Sequence, residues 1–148
     1  MNIALDANIL LRCAEPLHPA YKKAEKAIAR LLAEGHQFVV FPQVLIEFWV
    51  VATRPVKSNG LGLSFEHAQV QLEFIKTAFT LSPNVPATYW IWEELVRRHR
   101  VLGKNAHDAH IVAAMLMFEV SHILTFDLAD FRRFYEITVM TPDEVINR

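Results

Sequence analysis

The sequence predicts an α/β fold, a three-layer α/β/α sandwich with a central, mainly parallel sheet of about five strands. Short apolar runs alternate with longer helical patterns along the chain. Each run is continuously apolar, as in Phe38-Val39-Val40-Phe41, instead of alternating between apolar and polar residues. Continuous apolarity is typical of strands that helices cover on both faces, and such strands form parallel sheets.

Five apolar runs are predicted as strands and six segments as helices. The strands are residues 2–5, 38–41, 79–81, 122–125 and 137–139, and the helices are residues 20–34, 44–53, 65–77, 86–101, 105–119 and a last turn from residue 142. Gly35 is placed to end the first helix, and Pro42 suits the first turn of the second. Ser64 is placed to begin the third.

A length of 148 residues predicts a single domain over residues 1–148. Hydrophobic residues make up 53% of the chain and charged residues 21%, which excludes a disordered or low-complexity protein. The 15 basic and 16 acidic residues give a net charge of −1, so the overall charge does not favour nucleic acid. A nucleic-acid site would need local clustering of charge.

The chain is expected to be cytoplasmic, with no membrane partner. Its single cysteine, Cys13, cannot form an internal disulfide, which is typical of a reducing compartment. Asp6 interrupts the apolar N-terminal run, and the basic segment of a secretory signal is missing before it. No stretch reaches the roughly 18–20 apolar residues that a membrane helix requires.

Two predicted strands are followed by aspartates. Asp6 comes directly after Leu5, and Asp127 comes two residues after Thr125. Ligands of open parallel sheets bind at the carboxyl ends of the strands, so both carboxylates are predicted at one edge of the sheet. Aspartate is also a common turn former, which would explain either residue alone.

Glu47 is the third acidic candidate. It lies in a predicted helix that is apolar on every side, and such a helix is normally buried. Because a buried carboxylate without a partner is costly, Glu47 is expected to have a raised pKa, a bound cation or a basic partner. Arg54 is the alternative partner, although it lies two helical turns away.

Asp108 is the fourth acidic candidate, at the start of a predicted helix. With Asn105 as the N-cap, Asp108 is the third helical residue, where a carboxylate interacts favourably with the helix dipole. This capping role would be sufficient by itself. It is also compatible with metal binding, because the helix start is predicted to face the edge of the sheet.

Convergence of these four carboxylates would require a counter-charge. Two like charges ~4 Å apart repel each other by about 4 kcal/mol at an effective dielectric constant near 20. A proton or a divalent cation would relieve this repulsion, and a set of oxygen ligands suits Mg²⁺ or Mn²⁺. Such sites are typical of metal-assisted hydrolysis of phosphate esters.

The acidic segments together resemble a PIN-domain ribonuclease, specifically the VapC toxin of a type II toxin–antitoxin pair. The matching segments are residues 3–10 (IALDANIL), Glu47 in its apolar helix, residues 104–109 (KNAHDA) and residues 125–131 (TFDLADF). Each motif is short, but their order and spacing cover nearly the whole chain. The resemblance implies a PIN-like fold, Mg²⁺- or Mn²⁺-dependent cleavage of RNA, inhibition by a cognate antitoxin and a homodimer.

The resemblance also implies roles for single residues. The acidic quartet that binds the metal and carries catalysis is matched by Asp6, Glu47, Asp108 and Asp127. Asn8 and Thr125 match polar positions that support the quartet. Asp130 competes with Asp127 for the fourth place, and Asp127 is favoured because it lies closer to the strand end. The long connection Pro55–Leu63 departs from the family pattern, and it is expected to reshape the substrate groove.

Basic, aromatic and histidine residues give weaker signals. RNA contacts are predicted at Arg97, Arg98, Arg100, Lys104 and His107, although a solvated helix C-terminus explains the basic run slightly better. The aromatic residues Phe48, Trp49, Trp90 and Trp92 are able to stack on bases, yet their helical spacing favours a place in the core. His107 and His110 are spaced for shared zinc binding, but a third soft ligand is missing.

Two other classes of function compete with a metal-dependent endoribonuclease. The first is a catalytically silent PIN-like module that binds RNA or a protein and uses its acids only in caps and turns. The second is an aspartyl-phosphate phosphotransferase, which also has an aspartate at a strand end. This class is disfavoured because Asp6-Ala7-Asn8 lacks the second aspartate that serves there as acid and base.

Overall fold

A computed structural model describes all residues, Met1–Arg148. Its five strands are β1 (Asn2–Leu5), β2 (Gln37–Val40), β3 (Thr80–Leu81), β4 (His122–Leu124) and β5 (Thr138–Met140). Its helices are α1 (Ala7–Cys13), α2 (Tyr21–Ala33), α3 (Pro42–Thr53), α4 (Phe65–Ala78), α5 (Thr88–His99), α6 (Asn105–Met117), α7 (Leu128–Phe131) and α8 (Pro142–Asn147), with a 3₁₀ turn at Val56–Ser58.

The strands form one sheet in the order β3-β2-β1-β4-β5, and every neighbouring pair is parallel. In the central register, Ile3 of β1 lies between Phe38 of β2 and His122 of β4. The chain runs outward from β1 to β3 and then crosses back to β4. The carboxyl ends of β1 and β4 therefore lie at the point where the direction of winding reverses, which is where parallel sheets bind ligands.

Helices pack in two groups that cover the sheet. Helices α1 to α4 pack against one another and α8 packs on α2, whereas α5 packs on α6 and α6 contacts α7. The strand residues between them are almost fully buried, including Ile3, Leu5 and Ile123. The predicted α/β/α sandwich with a five-stranded parallel sheet is confirmed.

Helices α1 and α7 were not predicted from the sequence. Helix α1 has seven residues and α7 has four, too few for a helical pattern to stand out from an apolar segment. The predicted strands and longer helices are found, with ends that differ by one or two residues in most cases. None of the helices combines the length and the apolarity needed to span a lipid bilayer.

The expectation that α3 is buried on every side is wrong. Val44, Leu45 and Phe48 are buried, but Ile46 is 65% exposed and Val50 is 51% exposed. One face of α3 therefore packs on the core while another carries large apolar side chains into solvent.

Candidate functional site

The site begins where β1 turns into α1. Asp6 is the N-cap of α1, with an extended backbone conformation, and its Oδ1 accepts a hydrogen bond from the Ala7 N–H at 2.8 Å. Capping fixes the carboxylate at the carboxyl end of the central strand. The side chain is nevertheless nearly buried, because Asp6 as a whole is only 7% exposed.

Asn8 and Thr125 connect the ends of β1 and β4. The Thr125 hydroxyl is fully buried and donates to Asp6 Oδ2 at 2.7 Å. The Asn8 amide N–H groups lie within 3.2 Å of oxygen acceptors on Asp6, Thr125 and Asp127. In return, Asn8 Oδ1 accepts from the Phe126 N–H, and Thr125 Oγ1 accepts from the Asp127 N–H. This network holds two carboxylates side by side.

The acids from α3, α6 and α7 face the same place. The pKa of the Asp108 carboxyl is raised to about 7, first by desolvation and then by the negative charge of Asp130. The charges of Asp6, Glu47 and Asp127 raise the pKa of Asp108 further, in that order. Five carboxylates from four separate segments of the chain therefore share one electrostatic site.

The other two shifted carboxyl groups respond to the same surroundings. Burial raises the pKa of Asp6 to about 6, although hydrogen bonds from Thr125 and Ala7 act in the opposite direction. The pKa of Glu47 is also raised, first by desolvation and then by Asp127, while His107 lowers it. Desolvation and mutual repulsion both disfavour the charged forms, so the site attracts protons or cations.

The alternative partner of Glu47, Arg54, and the expected N-cap of α6, Asn105, are not found in those roles. Glu47 forms no ion pair with Arg54, whose guanidinium donates instead to the Asn59 carbonyl at 3.1 Å. Asn105 is the first residue of α6 and Lys104 is at the N-cap position, so the predicted cap was wrong by one residue. Neither Glu47 nor Asp108 forms a side-chain hydrogen bond, but Asp108 does lie in the first turn of α6, where the helix dipole favours a carboxylate.

Asp127 and Asp130 are both present at the site. The undetected helix α7 explains this, because Asp127 is at its N-cap position and Asp130 lies in its first turn. Asp127 accepts a hydrogen bond from Asn8, whereas Asp130 exerts the strongest charge effect on Asp108. From the sequence, Asp127 and Asp130 were alternatives for the fourth position of the acidic quartet. Whether either of them binds a metal stays a prediction.

The donor chemistry of the site fits a hard divalent cation. Carboxylate oxygens are the ligands that Mg²⁺ and Mn²⁺ prefer, and Mg²⁺ retains several waters while binding only one or two carboxylates. No three carboxylate, imidazole or thiol groups already stand at metal-binding spacing. Direct binding by three or more side chains would therefore require some of them to rotate, and the same finding gives no support to zinc bound by His107 and His110.

Most of the predicted phosphate-binding arginines are engaged elsewhere. Arg97 pairs with Glu93 on its own helix, and Arg98 pairs with both Glu94 and Glu136. The remaining three predicted contacts, Arg100, Lys104 and His107, are exposed and form no ion pairs. Of these, His107 lies near the acidic site, because its interaction with Glu47 lowers the pKa of that carboxyl group. Contact of any of these residues with RNA stays a prediction.

Other nucleophiles and aromatic residues are also placed by the structure. Burial raises the pKa of the Cys13 thiol to about 11, so a reactive thiolate is disfavoured. Phe48 is fully buried and Trp49 and Trp92 are partly buried, in line with a core role. The core prediction is wrong for Trp90, which is 69% exposed.

The fold and the site together define an α/β domain that gathers acids at the switch point of a parallel sheet. The sequence matches the PIN domain family over residues 3–137, so the chain belongs to that family. No protein with a curated description matches the chain.

Solved structures with this fold include toxin–antitoxin proteins. VapBC2 from Rickettsia felis bound to a DNA fragment from its promoter has a TM-score of 0.70 and 16% identity, covering 95% of this chain and 98% of that one. VapBC-1 from nontypeable Haemophilus influenzae has a TM-score of 0.70 and 15% identity, covering 97% and 99%. VapC20 from Mycobacterium tuberculosis, a toxin that cleaves the sarcin–ricin loop, has a TM-score of 0.66 and 18% identity, covering 89% and 95%.

Proposed function

We propose that this PIN-domain protein is a Mg²⁺- or Mn²⁺-dependent endoribonuclease that acts as the toxin of a toxin–antitoxin pair. The observation that carries the proposal is the convergence of five carboxylates at the carboxyl ends of β1 and β4, where the pKa values of Asp6 and Asp108 are raised to about 6 and 7. Such repulsion is tolerated when a cation neutralises it. The fold shared with VapC proteins supports the same function.

The residues that would hold the cation are Asp6, Glu47, Asp108 and Asp127, with Asp130 beside them. A divalent cation in this position supplies positive charge for the scissile phosphate and lowers the pKa of an attacking water. The protein's own contribution is orientation: Thr125 and Asn8 hold the carboxylates of Asp6 and Asp127. His107 is exposed beside Glu47, where its imidazole is able to hydrogen bond a phosphate oxygen.

Substitutions that replace a carboxylate by a neutral amide test the catalytic assignment. Asp6→Asn and Asp108→Asn are each expected to lower the Mg²⁺-dependent cleavage of single-stranded RNA by at least about a hundredfold, since each removes a charge that would hold the cation. Asp143→Asn is the matched control, because Asp143 is exposed and pairs with Lys23 away from the site. Undiminished cleavage by both site variants would overturn the assignment.

A catalytically silent PIN-like binding module is the second candidate. The observation in its favour is that no three metal-binding groups already stand at ligand spacing. Calorimetric titration with Mn²⁺ separates the two functions. The nuclease is expected to bind Mn²⁺ in a manner that Asp108→Asn weakens, whereas a silent module is expected to show no binding that depends on the acids.

An antitoxin is the protein partner that we propose. The VapBC structures named above support this partner. The chain also has a groove of about 760 Å³ between α1, α2 and α4, lined mainly by apolar side chains. Phe74 and Leu32 project into solvent there and are 66% and 51% exposed. A groove of this kind suits the apolar face of an amphipathic helix.

A homodimer is the proposed assembly. The exposed face of α3, with Ile46 and Val50, is continuous with a second apolar hollow that also includes Trp49 and Leu72. Burial of such a face against a second copy would remove large apolar side chains from water. Light scattering of the purified protein is expected to give twice the mass of one chain, and Ile46→Asp is expected to give a monomer.

A further inference from the structure

A cavity of about 350 Å³ lies beside the acidic site and is not used in the chemistry described above. It is formed by the residues that follow β2 and β3 together with the first turn of α5 and the middle of α6. Its lining includes Gln43, Asn84, Thr88, Tyr89, His110 and Phe118. Its volume falls in the range of roughly 300–1,000 Å³ that is typical of small-molecule sites.

The cavity shares two walls with the acidic site. Gln43 lies one helical turn before Glu47 on α3, so both side chains belong to the same face of the helix. The Gln43 amide donates to the His107 carbonyl at 2.8 Å and so joins α3 to α6 at the boundary. His110 lies one turn after His107 on α6. A molecule that reaches the carboxylates is therefore within one helical turn of the cavity.

The polar groups of the cavity are neutral and largely unsatisfied. The lining contains no carboxylate, ammonium or guanidinium group. The side chains of Asn84 and His110, the hydroxyl of Tyr89 and the Oε1 of Gln43 form no hydrogen bond within the molecule. The lining has no Arg or Lys side chain to pair with a phosphate, so its side chains favour an uncharged occupant.

Aromatic rings complete the cavity. Phe41 and Phe118 are stacked within it, with centroids 6.3 Å apart and an interplanar angle of 29°. Tyr89 is 50% exposed, and its ring contacts Trp90 and Trp92. A half-exposed tyrosine supported by tryptophans is a suitable platform for a planar ring. Side-chain amides are the groups that pair with the edges of bases, and single-stranded RNA is read by stacking together with such pairs.

We propose that this cavity is a base-recognition subsite, which takes an unpaired RNA base next to the phosphate at the acidic site. Tyr89 stacks on the base, and the amides of Asn84 and Gln43 read its edge. Pro83 and Pro86 lie on either side of Asn84 in the loop before α5 and restrict the backbone there, which lowers the entropic cost of recognition. The subsite rests on the proposed ribonuclease function and adds to it a means of selecting the cleavage position.

The first test uses nucleosides, which lack phosphate and therefore do not need the metal. Isotope-labelled protein in a chelating buffer is titrated with adenosine, cytidine, guanosine and uridine, and the side-chain amide signals of Asn84 and Gln43 are followed by NMR. At least one nucleoside is expected to shift both signals. Tyr89→Leu is expected to weaken this binding about fivefold or more, since stacking on an aromatic ring contributes roughly 1–3 kcal/mol per base.

Tyr135→Leu is the matched control, because Tyr135 is another exposed tyrosine outside the cavity. It is expected to leave nucleoside binding at the wild-type level. Absence of any shift at the two amides, or equal loss in Tyr135→Leu, would overturn the subsite. The subsite is also overturned if Tyr89→Leu weakens binding of the antitoxin but not of nucleosides.

The second test uses the cleavage pattern of single-stranded RNA of mixed sequence with Mg²⁺. The wild type is expected to prefer certain bases beside the cut, and Asn84→Ala is expected to reduce that preference about fivefold or more while cutting continues. An unchanged preference would contradict the subsite. If the wild type binds nucleosides at the two amides but cuts no RNA, the ribonuclease proposal fails and the base site stands.

Discussion

At the scale of single residues, the acidic site depends on a few buried hydroxyl and amide contacts. Thr125 is the central one, because its hydroxyl donates to Asp6 and accepts from Asn8 and from the Asp127 backbone. Its donated hydrogen bond also lowers the pKa of Asp6 against the opposing effect of burial. The Thr125 hydroxyl therefore affects both the direction and the charge of the Asp6 carboxylate.

Removal of this hydroxyl is expected to weaken metal binding. Thr125→Val keeps the shape of the side chain but removes one of the three hydrogen bonds to Asp6, leaving those from Ala7 and Asn8. It also leaves the Asp127 N–H without its acceptor. We expect Mn²⁺ affinity to fall about tenfold at pH 7 and its pH dependence to move to higher pH, as the pKa of Asp6 rises. Calorimetry over a pH series measures both effects. Thr125→Ser is expected to keep the wild-type affinity and pH dependence, and a Thr125→Val variant equal to the wild type would contradict this role.

Asp108 is expected to reduce the stability of the metal-free protein above pH 4. Its pKa is raised to about 7 in the folded state, so the folded state holds a proton that the unfolded state has lost between about pH 4 and pH 7. Stability therefore falls as pH rises through this window. Asp108→Asn removes the effect and is expected to gain about 1–2 kcal/mol at pH 8, a value reduced for partial solvent screening.

Urea unfolding in a chelating buffer at pH 4.5, 6 and 8 measures this gain. It is expected to be smallest at pH 4.5 and to reach its full size above pH 7. The Asp143→Asn control, which removes an exposed carboxylate far from the site, is expected to give no such trend. A gain for Asp108→Asn that is independent of pH would show that the carboxylate is not repelled in the fold.

At the scale of elements, the strands and long helices were readable from the sequence because burial on both faces leaves continuous apolar runs. Helices α1 and α7 were not readable, since four to seven residues are too few to show a helical period. Because α7 was missed, the prediction of the acidic site was incomplete. Without α7, Asp127 and Asp130 looked like alternatives, whereas one short helix brings both to the same place.

The burial of α3 was also predicted incorrectly from the sequence. The apolar residues around Glu47 predicted a buried helix, but hydropathy does not distinguish a core face from an apolar face that is left exposed. The raised pKa expected for Glu47 is found, with desolvation as its largest cause and the charges of Asp127 and Asp130 raising it further. The Gln43 contact with His107 was also missed, although its spacing from Glu47 was a usable signal.

The connection Pro55–Leu63 is attached to the end of α3. The Leu61 and Leu63 N–H groups donate to carbonyls in the last turns of α3, and the Gly62 N–H donates to the Arg54 carbonyl at 2.9 Å. The chain is so close at Gly60 that an added Cβ would lie 1.9 Å from the same carbonyl oxygen. The segment is thus a fixed cap on the helix, and its predicted influence on the substrate groove stays a prediction.

Gly60→Ala is expected to destabilise the protein by about 2 kcal/mol or more, because backbone must move to relieve the overlap. Gly103→Ala is the comparison variant, since a Cβ there meets no atom and only its positive φ of 61° opposes the change. We expect Gly103→Ala to cost about 1 kcal/mol. Thermal unfolding measures both, and a Gly60 variant no less stable than the Gly103 variant would contradict the close packing.

At the scale of the whole molecule, the fold brings to one edge of the sheet acids that are distant along the chain. Asp6 and Asp127 could be placed from the sequence because each follows a strand, and parallel strands end at the same edge. The raised pKa values could not be derived in this way, since they depend on the distances between side chains of different elements. The cluster of carboxylates is electrostatically unfavourable without a counter-ion and becomes favourable with one.

A divalent cation is therefore expected to stabilise the whole fold. At a hundred times the dissociation constant, a ligand that binds only the folded state adds about 2.7 kcal/mol, and 1 kcal/mol shifts the Tm of a chain of this size by roughly 2–4 °C. Saturating Mn²⁺ at pH 8 is expected to raise the Tm by about 5–10 °C. The rise is expected to shrink at pH 5, where protons compete for Asp6 and Asp108, whose pKa values are about 6 and 7. Differential scanning calorimetry of the wild type and of Asp6→Asn measures the effect: a Tm that rises equally in both proteins would place the cation elsewhere on the molecule.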